Sequence, residues 1–332
     1  MSVSDLSSAE LPHPRAVFRD DSRAQLWFGE TARASGAFEW VTFVYLAWLC
    51  ALSIGCHSHI PHPIRHLSVH CAIAGAILWL VRAAARSENE ILRLVRHWYP
   101  LPLYVFLFEE LGGLVHAIFP RWFDQAFVTF DYNLAKVHPS VWLAQFATPT
   151  LNDYMQFAYM TYFLYLVLLP AILYARHERL RFWTVMASTA IAHYSVYVIS
   201  ILVPVESPYF SLAALNTRPL SGGCSTALIT FIERLARVHG AAFPSAHVAG
   251  SMVALLASWH YRRWLFWVTL PFFVSMSVAT VYGRYHYVAD VLAGLAVGAI
   301  GFKTGEWLLR QKGALPTVAT QDGWLQPQTR EG

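Results

Sequence analysis

Stretches of mostly apolar residues alternate with short basic connections along most of the chain. A helix needs about 20 such residues to cross a bilayer. Eight segments fit that reading: 38–56, 67–85, 100–119, 154–174, 182–203, 246–259, 264–282 and 287–308. The sixth is the shortest. The pattern predicts an all-α membrane bundle of about eight spans occupying residues 37–310, between polar tails at 1–36 and 311–332. Between the third and fourth spans, Phe123, Asp124, Phe127, Phe130, Asp131 and Leu134 recur at helical spacing, which predicts an interfacial amphipathic helix. The 203–243 connection is richer in Pro, Gly and Ser.

Composition supports a membrane solvent. Charged residues make up 13% of the chain, where a soluble domain carries about 25%. The net charge of +4 matters less than its distribution. With eight spans, 17 of the 24 Lys and Arg residues fall on the side shared by both tails, and 7 on the other. Among the 17 are Arg93, Arg96, Arg176, Arg179, Arg181, Arg262 and Arg263. This bias places both termini in the cytoplasm. The first 35 or so residues lack an apolar signal core, so no cleaved leader is expected. No basic, aromatic-interleaved surface suggests nucleic acid as a partner. Three of the four cysteines (Cys50, Cys56, Cys71) lie in or beside apolar runs and read as small buried hydrophobes. Cys224 has no obvious partner, and no cysteine pair has metal-ligand spacing.

The chemistry concentrates in two motifs. In Gly240-Ala-Ala-Phe-Pro-Ser-Ala-His247, Pro244 and Ser245 read as a helix start with Ser245 as cap, and free backbone N–H groups there suit an anion. His247 falls in that first turn, able to donate a proton to a phosphate oxygen. In Tyr282-Gly-Arg-Tyr-His-Tyr-Val-Ala-Asp290, His286 and Asp290 are four apart and would share a helix face. A carboxylate on one imidazole nitrogen fixes the tautomer and frees the other as a nucleophile. Arg284 brings a planar cation suited to phosphate oxygens. The 39 positions from His247 to His286 fit one descending span, a turn at Arg262-Arg263 and one ascending span, so both histidines return to the same face.

Phe243-Pro-Ser-Ala-His247 and Arg284-Tyr-His286-Tyr-Val-Ala-Asp290-Val-Leu-Ala-Gly294 resemble the second and third motifs of the type 2 phosphatidic acid phosphatase (PAP2) superfamily, and within it the inositol phosphorylceramide synthase-like branch. The resemblance implies a catalytic core formed by the last four or so spans. It also implies a membrane-embedded lipid phosphatase or phosphotransferase acting on a lipid phosphate at the non-cytoplasmic face. His286 would attack phosphorus and carry a phosphohistidine, Asp290 would orient it, and His247 would protonate the leaving alcohol and then activate the acceptor. The scheme requires no metal or cofactor. Two family positions differ: Thr280 stands six before the nucleophile in place of arginine, and Ser211 stands seven before Arg218-Pro219 in place of lysine. Arg284, Ser245, Arg237 and Arg218 are the candidate phosphate ligands.

Other polar groups offer different readings. Glu109 and Glu110 sit within the third apolar segment beside Gly112-Gly113 and, being adjacent, point in different directions. An ion pair or a polar cavity is expected there. His57, His59, His62 and His66 cluster in the first outside loop at irregular spacing, a poor match to a metal site. A transporter would instead use Glu109, Glu110 and His193 to line a pathway. A vanadate-binding haloperoxidase is a more remote relative of the same pocket.

Overall fold

In the computed structural model, the residues described are 35–236 and 238–311. They are helical almost throughout, with one isolated bridge between Val205 and Ala241. In order the helices are α1 (Ala37–Gly55), α2 (Pro63–Arg86), α3 (Glu90–Trp98), α4 (Pro100–Glu110), α5 (Asp124–Ala135), α6 (Pro139–Ala144), α7 (Pro149–Ala175), α8 (Arg179–Leu202), α9 (Pro208–Ser211), α10 (Cys224–Ala236), α11 (Ala246–Tyr261), α12 (Arg263–Tyr282) and α13 (Val288–Arg310). Six of them (α1, α2, α7, α8, α12 and α13) are long and apolar enough to cross a membrane. The chain is an all-α, multi-pass integral membrane protein. Both predicted tails lie almost wholly outside the described residues.

Two of the eight expected spans do not reach that length. The third stops at Glu110 after 11 residues, and the chain turns through a 3-10 segment at Leu111–Gly113. At the break, Glu110 Oε2 lies 2.7 Å from His66 Nδ1 on α2. Gly113 lets the turn pack there, since a Cβ on it would fall 2.7 Å from His66 Nε2. The sixth, α11, has 16 residues and so spans about 24 Å, short of a hydrocarbon core of about 30 Å. It packs against α7, α8, α12 and α13, so protein rather than lipid surrounds most of it.

These five helices form the core of the bundle; α1 and α4 also pack on α8, and α2 packs on α1. Close approach depends on small residues along α13. A Cβ on Gly298 would meet the Ala249 carbonyl of α11 at 2.5 Å, and one on Gly301 would meet Ala192 Cβ of α8 at 2.9 Å. Bare backbone at such crossings gives van der Waals contact where lipid offers no hydrophobic drive. The outer surface is apolar: Val44, Ile64, Trp79, Trp264, Trp267, Ile300 and Trp307 are all more than half exposed.

α5 reverses the polarity of a soluble amphipathic helix. Phe130 and Leu134 are exposed, whereas Asp124 and Asp131 are buried. Asp124 accepts from the Glu206 and Ser207 amides and from the Tyr287 hydroxyl. Asp131 accepts from the Val288 and Ala289 amides at the start of α13. The segment expected as an interfacial amphipathic helix is a helix that holds residues 206–207 and the start of α13 beside His286.

Candidate active site

Ser245 caps α11: its Oγ accepts from the Val248 amide at 3.4 Å. Its own amide donates to the Asp290 carbonyl at 3.0 Å. That single bond ties the start of α11 to the start of α13, and so ties the two histidine motifs together. The His247 and His286 rings lie 6.1 Å apart, centroid to centroid. His286 precedes α13, held by its amide to the Thr280 carbonyl at 3.1 Å.

The Nδ1 of His286 is 2.8 Å from the Ala242 carbonyl and 3.4 Å from Asp290 Oδ2. A carbonyl only accepts, so Nδ1 carries the proton and Nε2 keeps its lone pair. The expected Asp290–His286 pair is thus in contact, with the Ala242 carbonyl as the nearer partner of Nδ1. The four-residue spacing is not helical here, because α13 starts only at Val288. Asp290 instead closes a capping box, its Oδ2 accepting from the Tyr287 amide at 2.8 Å. Its Oδ1 is buried without a hydrogen-bond partner among the described residues. The Ala242 peptide is fixed in turn by donating to the Val205 carbonyl at 3.1 Å.

Both rings line a cavity of about 220 Å³. Its walls are aromatic, with Tyr104, Tyr159, Tyr162, Tyr209 and Phe210, and it also carries Glu109, Glu206 and Glu233. Tyr159 and Tyr162, three apart on α7, place their rings 4.5 and 4.4 Å from His247. The Tyr162 hydroxyl lies 2.7 Å from His193 Nε2, and Tyr285 donates to Gln156 at 2.9 Å. These tyrosines escaped the reading of the sequence; their i, i+3 spacing facing a polar motif was the available signal.

The candidate cations are not gathered as the histidines are. No lysine or arginine among the described residues lines the histidine cavity. Arg284 lines the neighbouring cavity, which shares Tyr209, Glu233 and Tyr285 with it. It is buried with φ at 65°, a left-handed conformation that non-glycine residues rarely adopt. Its Nη2 donates to the Arg218 carbonyl at 2.6 Å, while its Nε is buried without a partner among the described residues. Burial pushes the guanidinium below its ordinary value, opposed by Tyr209 and Tyr282. The Arg218 guanidinium turns away to the Gln145 carbonyl at 2.9 Å. Arg237 lies outside the described residues. Ser211 Oγ lies 2.5 Å from the Tyr287 hydroxyl.

The groups that would line a transporter's pathway are dispersed. His193 is fully buried, with Nδ1 2.8 Å from the Thr189 carbonyl and Nε2 on Tyr162. Glu109 faces the histidine cavity, while Glu110 turns to His66 and Arg65. Nor do the loop histidines converge. His57 Nδ1 sits on the Ile54 carbonyl and His59 Nδ1 on that of Ala117, while His66 meets Glu110.

A helical membrane bundle that converges two histidine motifs on one cavity defines a class, and the sequence comparison agrees with it. The model of the PAP2 superfamily matches residues 126–304, more than half of the chain. The chain belongs to the PAP2 superfamily. No curated relative and no solved structure matches it significantly.

Proposed function

We propose that the protein transfers phosphoryl groups of amphiphilic phosphoesters through a phosphohistidine on His286. The observation that carries this reading is the 6.1 Å approach of two imidazoles at one cavity, with His286 Nδ1 held by a carbonyl so that Nε2 keeps its lone pair. In the first step Nε2 of His286 attacks phosphorus, the bond to the leaving alcohol breaks, and protonated His247 gives that oxygen its proton. In the second, neutral His247 takes a proton from water or an acceptor alcohol. That oxygen attacks phosphorus, and the phosphorus–nitrogen bond breaks to restore His286. The scheme needs no metal. Asp290 acts as a positioning residue by capping α13 and holding Ser245 through its carbonyl.

Loose phosphoryl transition states ask chiefly for positioning and charge neutralisation. The α11 N-terminus with Ser245 supplies part of the latter. Arg284, Arg218 and Arg237 are the cations proposed to complete it. The aromatic walls suit a lipid headgroup whose tails stay in the bilayer. The motif resemblance favours an inositol phosphorylceramide synthase-like transferase, and water as acceptor would give a lipid phosphatase on the same phosphoenzyme. The basic-residue bias, counted over eight crossings, supports cytoplasmic termini and a cavity at the opposite face.

The test is product analysis with purified protein given labelled phosphatidylinositol, with and without ceramide, and labelled phosphatidic acid. A new phosphosphingolipid establishes the transferase, and free phosphate alone establishes the phosphatase. No turnover of any of these lipids, by protein whose fold is intact, contradicts the reading.

A further inference from the structure

A second polar cluster lies where α4 ends, beside the histidine cavity but facing away from it. His66 and His70 are four apart on α2 and share a helix face. The Glu110 carboxylate enters from α4, with Oε2 2.7 Å from His66 Nδ1 and 3.9 Å from His70 Nε2. One donor atom from each of the three lies within 4.8 Å of the others. All three residues are buried. His70 decides the reading. It is 0% exposed, and among the described residues neither ring nitrogen has a hydrogen-bond partner. Buried polar groups are nearly always paired, so an imidazole with both nitrogens unpartnered points to a missing third body. Its Nε2 is aimed at a carboxylate oxygen too distant for a hydrogen bond, yet near enough to share an ion with it.

We infer that His66, His70 and Glu110 bind a first-row divalent cation, of which zinc is the best match. Two imidazoles and one carboxylate are ligands of that class. A tetrahedral ion with bonds of about 2.0–2.2 Å sets its ligand atoms about 3.3 Å apart. The three donor atoms lie within 4.8 Å of one another, on the scale of that spacing, and the fourth position would take water. Arg65 Nη2, 3.6 Å from Glu110 Oε1, steadies the carboxylate from outside. The whole site precedes the family match at 126–304, so it is a feature of this chain's N-terminal helices. The ion joins α2 to the end of α4, where neighbouring Glu109 forms part of the cavity wall. The inference does not rest on the phosphoryl reading.

The full-length protein, purified through a histidine-free tag, is stripped with a chelator and dialysed against Zn(II) or Co(II). Metal content, the cobalt visible spectrum and thermal stability are then measured. The expected result is one equivalent per chain, a ligand-field spectrum of nitrogen and oxygen donors, and a rise in Tm with zinc. His70→Ala and Glu110→Gln should lose the metal, while Glu109→Gln, facing the other cavity, should keep it. Wild-type protein that takes up no stoichiometric metal and shows no zinc-dependent Tm overturns the inference without reliance on a variant. So does retention of the metal by both His70→Ala and Glu110→Gln.

Discussion

Glu39 and Arg96 meet at one end of the bundle, His247 and His286 at the other, and the two pairs are built on different terms. At the first end carboxylates sit on cations. Buried Arg96 reaches Glu39 at 3.1 Å, and Glu178 holds Arg181 at 2.5 Å and Arg262 as well, joining the turns before α8 and after α11. At the histidine end the buried carboxylates of Asp124, Asp131 and Asp290 accept chiefly backbone amides, while Arg284 donates to a carbonyl. The first arrangement neutralises charge within the protein. The second fixes the loops that carry the two imidazoles. On the proposed mechanism, the end built on ion pairs holds the bundle together and the other carries the chemistry.

Substitutions at the two ends should therefore fail in different ways. The largest effect is expected at His286: His286→Ala should lower turnover by more than about 10⁴-fold with little change in thermal stability. His247→Ala should cost about 10²–10⁴-fold, the usual range for a general acid–base. Steady-state rates beside melting curves in detergent check both. Next comes Arg96→Ala, which strands the buried Glu39 carboxylate and should cost about 3–5 kcal/mol of stability while turnover per folded molecule stays near wild type. Replacing both partners, Glu39→Leu with Arg96→Met, should recover most of that loss, and denaturant titration reads it directly.

Asp131→Ala should cost about 1–2 kcal/mol by uncapping the amides of Val288 and Ala289, and turnover should fall too because that helix start supports His286. The smallest effect is at Glu178. Burial raises its carboxyl, but hydrogen bonds and charge from Arg181 and Arg262 outweigh this and hold it below the ordinary 4.5. Its contribution is complete above pH 4.5 and is lost as pH falls through the lower folded value. Glu178→Gln should flatten the acid side of a stability–pH curve, and an unchanged curve would remove Glu178 from the contrast.

Much of the bundle was legible because lipid imposes length and apolarity on a span. The two spans that fell short failed for reasons a hydropathy pattern does not carry. α4 stops at Glu110, which pairs with a histidine on another helix, and the short α11 is packed among four other helices. Ser245 was readable as a cap from local sequence. The partner of His286 was not, because Ala242 contributes a backbone carbonyl that any residue could supply. His70 was missed for a related reason. His70 lies beyond the loop cluster, one helical turn from His66, and the third member of the group arrives from α4.

The central claim is the covalent step at His286. Rapid quenching of the enzyme with a ³²P-labelled lipid phosphate, followed by denaturing gel analysis, should show an acid-labile, base-stable label. Peptide mapping should place it on His286, and His286→Ala should lack it. A label on another residue, or full turnover by His286→Ala, would contradict the mechanism.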